Sequence, residues 1–176
     1  GVVAGGRVDP STTLFDLASL TKVVGTTPSV MALVDDRRIG LEAPVQRYVS
    51  QFRGGGRGDV TVWNLLTHTS GLPAGADLYH EAGNREKALG RVYRTDLEVE
   101  PGKRVLYSDF GMIVMAEAVR SRAGEGVDTF AARRVFAYAE ALRHLERALE
   151  LWDRVPDAAE RTGMTRPQVL RAAAAV

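Results

Sequence analysis

Cysteine is missing from all 176 residues, which excludes disulfides, thiol catalysis and Cys-based zinc sites and leaves the redox compartment open. Net charge is nearly missing as well. Twenty-three Lys+Arg against 22 Asp+Glu leave +1, too little for a global field that would recruit nucleic acid or an acidic membrane. No apolar run approaches the roughly 20 residues that cross a bilayer. The three histidines, His68, His80 and His144, are widely separated and show no ligand spacing, so neither a metal nor an organic cofactor is implied. Lysine is scarce: only Lys22, Lys87 and Lys103 stand among the 23 cations, and in an arginine-rich chain each lysine invites a question. What is present, 45% hydrophobic and 26% charged residues, suits one ordinary globular domain and excludes a disordered or collagen-like chain.

Gly1-Val2-Val3-Ala4-Gly5-Gly6 reads as the end of a strand running into a turn. It lacks the charged start, apolar core and cleavage site of a secretory signal, so the chain is expected to begin inside a domain, cytoplasmic by default. Asp9-Pro10-Ser11-Thr12 is turn chemistry. From Ser19, the residues Leu20, Val23, Val24, Val30, Met31, Leu33 and Val34 predict a buried helix to about Asp36, kinked or broken at Gly25 and Pro28. Arg53 to Asp59 is a glycine-rich loop, and Thr61 caps a short amphipathic helix. A helical stretch is expected near 84–94, and a second sharp turn at Pro101-Gly102. The helix after Asp109 carries Ile113, Val114, Ala116 and Val119 and ends near Gly124. From 137 to 155, Tyr138, Ala141, Leu142, Leu145, Ala148, Leu149, Trp152 and Val155 fall at steps of three and four, which predicts an amphipathic helix. Another helix starts at Thr165, with Pro167 tolerated in its first turn.

Ser19-Leu20-Thr21-Lys22 sets a hydroxyl and an amine three residues apart at a helix start, where positions i and i+3 share a face. Serine needs a neighbour that takes its proton and a site that stabilises the oxyanion formed. Lysine can serve when burial or a second cation lowers its pKa. The plainer alternative is that Ser19 caps a helix and Lys22 is solvated. Tyr107-Ser108-Asp109 adds a phenol and short polar side chains between a turn and a helix, where they can project into a cleft; a buried structural tyrosine is the plainer alternative there.

Phe15-Asp16-Leu17-Ala18-Ser19-Leu20-Thr21-Lys22, then Leu65-Leu66-Thr67-His68-Thr69-Ser70-Gly71-Leu72, then Pro101-Gly102 and Tyr107-Ser108-Asp109, together resemble the serine β-lactamase-related family. That family comprises class C β-lactamases, penicillin-binding DD-peptidases and esterases of the same fold. The resemblance covers about residues 3–130. It implies an α/β, helix-rich, partial β-lactamase/transpeptidase-like domain over 1–136, and acyl transfer through an acyl-enzyme on Ser19. The partner molecule would be a small ester, amide or β-lactam. Lys22 is then the hydrogen-bonded partner of the nucleophile and Tyr107 the phenolate or hydrogen-bonded base of the second motif, and the resemblance leaves open which of the two takes the proton. Asp109 stands where the family most often has Asn; it would pair with Lys22, keep it protonated and favour Tyr107 as the base. His68 and Ser70 are expected to fix their turn and to take no part in the chemistry.

The family's third motif, Lys-Thr-Gly or His-x-Gly on a late strand, does not occur in these 176 residues. The resemblance therefore implies a hydrolase truncated before that motif, impaired in turnover, and self-associating through uncovered apolar surface. Residues 137–176 are expected to be a helical tail of different origin, similar to part of a tetratricopeptide repeat. In one rival reading the chain is a non-catalytic remnant whose tail makes protein contacts. In another it is a helical regulator with DNA affinity, because Ala159, Gly163 and Val169 fall at helix-turn-helix spacing near Arg161, Arg166 and Arg171. Six Lys/Arg against six Asp/Glu over 137–176 deny that second rival the basic face it needs.

Overall fold

A computed structural model describes residues 2–3, 6–9, 13, 15–136, 143, 146–155 and 157–174. Val2–Val3 (β1) pairs antiparallel with Gly6–Arg7 (β2). A single further bridge, Pro44 to Thr61, completes the strand pairing among the described residues. The fold described is thus helix-rich, and a sheet matching the α/β expectation is not among these residues.

Helical backbone begins at Leu20 and passes through a π-helical stretch, Lys22–Thr26, into α1, Thr27–Asp35. The interruption expected at Gly25 and Pro28 takes the form of a change from π- to α-helical backbone between Thr26 and Thr27. The wider π turn ends where the α-helix starts, so Pro28 falls in the first turn of α1, where its missing N–H costs nothing. The expectation of a buried helix is corrected. Thr26, Ser29, Val30 and Leu33 are buried, but Leu20, Val23 and Met31 are exposed, Met31 by 63%. Periodicity marks an apolar residue without showing which of two apolar faces finds a partner.

The remaining helices are α2 (Val62–Leu66), α3 (Leu78–Glu81), α4 (Arg85–Arg94), α5 (Asp109–Ala123) and α6 (Val127–Phe130), with a second π stretch over Ala131–Phe136. α5 is the hub and packs against α1, α2, α4 and α6. Phe110, Val114, Met115, Ala118 and Val119 from α5 join Leu33, Val45, Phe52, Val62, Leu65, Leu72 and Val92 in one core. Each large side chain buried there contributes about 1.5–3 kcal/mol. Gly124, at φ 80°, ends α5 in the left-handed conformation usual for a helix stop.

Beyond residue 136, helical backbone covers 146–151, and two helices, Ala158–Thr162 and Arg166–Ala174, flank Gly163. Tyr138, Ala141, Leu142 and Leu145 lie outside the described residues, as do Pro10, Ser11 and Thr12. Among the described residues no helix is long and apolar enough to cross a membrane.

A chain of local interactions positions the site. Thr61 and Asn64 form a reciprocal capping box at the start of α2. Asn64 then reaches forward, its carbonyl accepting the Thr69 N–H at 2.8 Å and its side-chain amide donating to Thr69 Oγ1 at 3.1 Å. The loop so fixed accepts the later segment along its length. The carbonyls of Gly71, Thr69, His68 and Ala74 take the N–H groups of Glu98, Gly102, Leu106 and Asp109 at 2.8, 2.7, 2.7 and 2.6 Å. Only glycine fits at 71. Its φ is 81°, and an added Cβ would lie 2.0 Å from the Val99 carbonyl oxygen.

Candidate active site

Ser19 sits in an exposed turn that leads into the π stretch. Leu20, Thr21 and Lys22 donate their N–H groups to the carbonyls of Leu17, Ala18 and Ser19 at 2.9, 3.0 and 3.1 Å. Ala18, just before the serine, has φ 43°, an unfavourable value for a residue with a Cβ, and its N–H is held by Asp16 Oδ1 at 2.8 Å. The Ser19 side chain caps no backbone group. Its Oγ instead accepts a hydrogen bond from Lys22 Nζ at 3.1 Å, as expected for i and i+3 on one helical face.

Lys22 Nζ makes two further contacts. It lies 2.7 Å from Asp109 Oδ1 and 5.0 Å from the centroid of the Tyr107 ring. The structure therefore brings Ser19, Lys22, Tyr107 and Asp109 together. The hydrogen bond to Asp109, followed by one to Tyr107, holds the Lys22 ammonium above its ordinary value, against the opposing effect of burial. The reverse applies to Tyr107, whose phenol is pulled below its ordinary value by its hydrogen bonds with Lys22 and then Ser19. A lysine kept charged is a poor proton acceptor, and a phenol facing a cation is a better one.

Asp109 opens α5, and Ser108 caps it. Ser108 Oγ accepts the Gly111 N–H at 3.2 Å and donates to the Pro73 carbonyl at 2.6 Å. Ser108 and Ser70 are both buried, Ser70 with Oγ accepting the Leu72 N–H at 3.3 Å. Neither presents a free hydroxyl. A groove of about 460 Å³ opens beside Ser19, lined by Ser19 and Lys22 together with Asp109, Met112, Ile113 and Ala116. Among the described residues no His, Cys, Asp and Glu group is placed to hold a metal ion.

His68 is the residue that sequence reasoning undervalued. Its ring centroid lies 4.5 Å from that of Tyr107, its Nδ1 accepts the Ser108 N–H at 3.1 Å, and its carbonyl accepts the Leu106 N–H. It thus grips the segment on both sides of the phenol and holds it from below. No sequence signal marks this role, which rests on a left-handed position in a tight turn (φ 56°) that residue type does not display.

Nδ1 accepts only when unprotonated. Burial, and then the Lys22 charge, depress the His68 pKa from 6.5. In the folded state the neutral ring is favoured, whereas an unfolded chain takes up a proton near pH 6.5. His68 therefore supplies stability that is fully present above pH 6.5 and is lost as pH falls from there to its depressed folded value. Melting temperatures between pH 4.5 and 8 are expected to fall over that window and to flatten there in His68→Gln. Identical slopes in both proteins would remove His68 as the titrating group.

The chain matches the family model for Beta-lactamase over residues 2–172 and belongs to that family. A curated relative, N-acetylmuramyl-L-alanine amidase of Bacillus subtilis (strain 168), is 26% identical over 137 residues, covering 70% of this chain and 31% of that protein. The crystal structure of SurE superposes with a TM-score of 0.61 at 26% identity, over 81% of this chain and 29% of that one. A family VIII carboxylesterase superposes with a TM-score of 0.58 at 27% identity, over 66% of this chain and 32% of that one. The chain spans about a third of the length of the relatives it matches.

Proposed function

We propose that this chain carries the nucleophile-bearing part of a serine hydrolase that works through an acyl-enzyme on Ser19. One observation carries the reading: Lys22 Nζ stands within hydrogen-bonding distance of Ser19 Oγ while bound to Asp109 and facing Tyr107. Tyr107, as phenolate, takes the Ser19 proton while Oγ bonds to the substrate carbonyl carbon. Lys22 stays protonated, orients Oγ and stabilises the phenolate; Asp109 holds that ammonium. The Ser19 backbone N–H is one donor to the oxyanion, and Tyr107 returns the proton to the leaving group. The substrate class is a small ester, amide or β-lactam. An amidase and a carboxylesterase among the similar proteins support that range. Residues 1–136 bear the chemistry in this reading, with β1 and β2 as the edge of an α/β domain and 137–176 as a helical tail.

Labelling with a fluorophosphonate and mapping the adduct by mass spectrometry tests the assignment. The adduct is expected on Ser19 alone and absent from Ser19→Ala. Modification of Ser70 or Ser108 would overturn it.

A further inference from the structure

The far end of α5 carries a second concentration of charge. There a groove of about 780 Å³ is lined by Arg37, Arg38, Arg47 and Arg122, with Tyr48 between them and no acidic residue in its wall. Four guanidiniums in one groove stand out in a chain whose net charge is +1. None of the four has an ion-pair partner among the described residues. Asp36, a neighbouring acid, is engaged elsewhere, 2.9 Å from Arg134.

The groove is also built. Arg122 Cζ lies 4.9 Å from the centroid of the Tyr48 ring, and its terminal nitrogen donates to the Arg47 carbonyl at 3.2 Å. Tyr48 in turn accepts the Gly40 N–H through its hydroxyl at 2.9 Å, so the turn after α1, the 45–48 segment and α5 are tied together. These contacts hold the Arg122 fork, yet its Nε is buried and has no hydrogen-bond acceptor. A buried donor left unmade is costly, the more so in a charged group, and a small turn of the guanidinium towards an acceptor in the groove would relieve it.

We propose that this groove is a binding site for a phosphate-type polyanion, separate from the Ser19 site and about 20 Å from it along α5. A carboxylate presents two oxygens on one edge and is satisfied by one guanidinium fork. A phosphate or pyrophosphate presents oxygens on several sides, which suits a groove whose wall carries Arg37, Arg38, Arg47 and Arg122. The site stands independently of the hydrolase reading.

Calorimetric titration of the whole chain at low salt, with pyrophosphate, inorganic phosphate and succinate as probes, tests it. Pyrophosphate is expected to bind saturably with a dissociation constant on the order of 0.1–1 mM, inorganic phosphate more weakly and succinate more weakly still. Arg122→Met, which keeps the stem over Tyr48, should weaken pyrophosphate at least about tenfold. Should that variant fail to fold, the exposed double variant Arg38→Gln/Arg47→Gln is expected to show the same loss with an unchanged melting temperature. Lys22→Met should bind as the parent does. Absence of saturation below about 10 mM, equal binding of succinate, parental affinity in the arginine variants, or loss in Lys22→Met would each overturn the assignment.

Discussion

Replacing Lys22 by methionine is expected to slow fluorophosphonate labelling of Ser19 by about 10³-fold or more while barely moving the melting temperature. Both halves follow from where the ammonium sits. It contacts Ser19 Oγ at 3.1 Å and binds Asp109 at 2.7 Å, and its hydrogen bond to Tyr107 is the first cause of the depressed phenol. In the proposed mechanism one substitution removes both the orientation of Ser19 and the activation of Tyr107, and general acid–base catalysis alone is worth about 10²–10⁴. The pH dependence should change with the rate. In the parent, labelling rises as Tyr107 ionises below its usual value near 10; in Lys22→Met that limb should move up towards about 10. Stability is another matter. Asp109 is 60% exposed, so its lost partner is replaced by water, and an ion pair of this kind contributes at most about 1 kcal/mol. Methionine keeps most of the stem packing. A variant that labels at the parental rate would remove Lys22 from the machinery, and a large drop in melting temperature would make it a structural residue.

The parts of this site that a sequence displays are those within one helical turn. Ser19 and Lys22 meet because three residues separate them, and any helix start would bring them together. Tyr107 and Asp109 come from far along the chain. They are delivered by backbone bonds from Leu106 and Asp109 to the 68–74 loop, and these leave no mark in residue type. For those two residues resemblance to a family did what periodicity could not. Gly71 is the exception, since its identity records the Val99 carbonyl that excludes any Cβ. His68 was read as a turn-former and is one, but that turn is what the phenol rests on. Pro28 marks an interruption without showing its form: the ring clashes with the preceding turn and lacks an N–H, and the chain accommodates both with a π stretch that ends where α1 begins. Exposure of Leu20, Val23 and Met31 was equally out of reach, because sequence marks a face as apolar without naming what covers it. The groove around Arg122 leaves no mark in the sequence because its arginines come from three separate segments and form no motif.

Turnover by the 176-residue polypeptide is expected to lie several orders of magnitude below that of a full-length family member, even with Ser19 fully reactive towards a fluorophosphonate. A fluorophosphonate, strongly electrophilic and with a good leaving group, leans chiefly on the nucleophile and its base and less on an oxyanion site. A carboxylic substrate needs more, because its carbonyl oxygen becomes an anion that two donors ordinarily share. In this chain the Ser19 N–H is the one donor that can be proposed, since neither Lys-Thr-Gly nor His-x-Gly occurs to supply a strand for the second. Removing one oxyanion donor costs about 10²–10³ in turnover. Looser positioning in an open groove adds to that loss, because orientation is worth several kcal/mol in a well-held complex. A β-lactam should suffer more than a neutral ester, for the same missing motif would also have met its carboxylate. Nitrocefin and p-nitrophenyl butyrate, each assayed beside Ser19→Ala, separate the outcomes. The expected result is a slow, Ser19-dependent release of p-nitrophenol with little or no nitrocefin hydrolysis. Rates equal to those of a full-length member, and abolished in Ser19→Ala, would mean that residues present here rebuild the missing donor. Rates identical in parent and variant would leave the family assignment standing and deny this polypeptide its own catalysis.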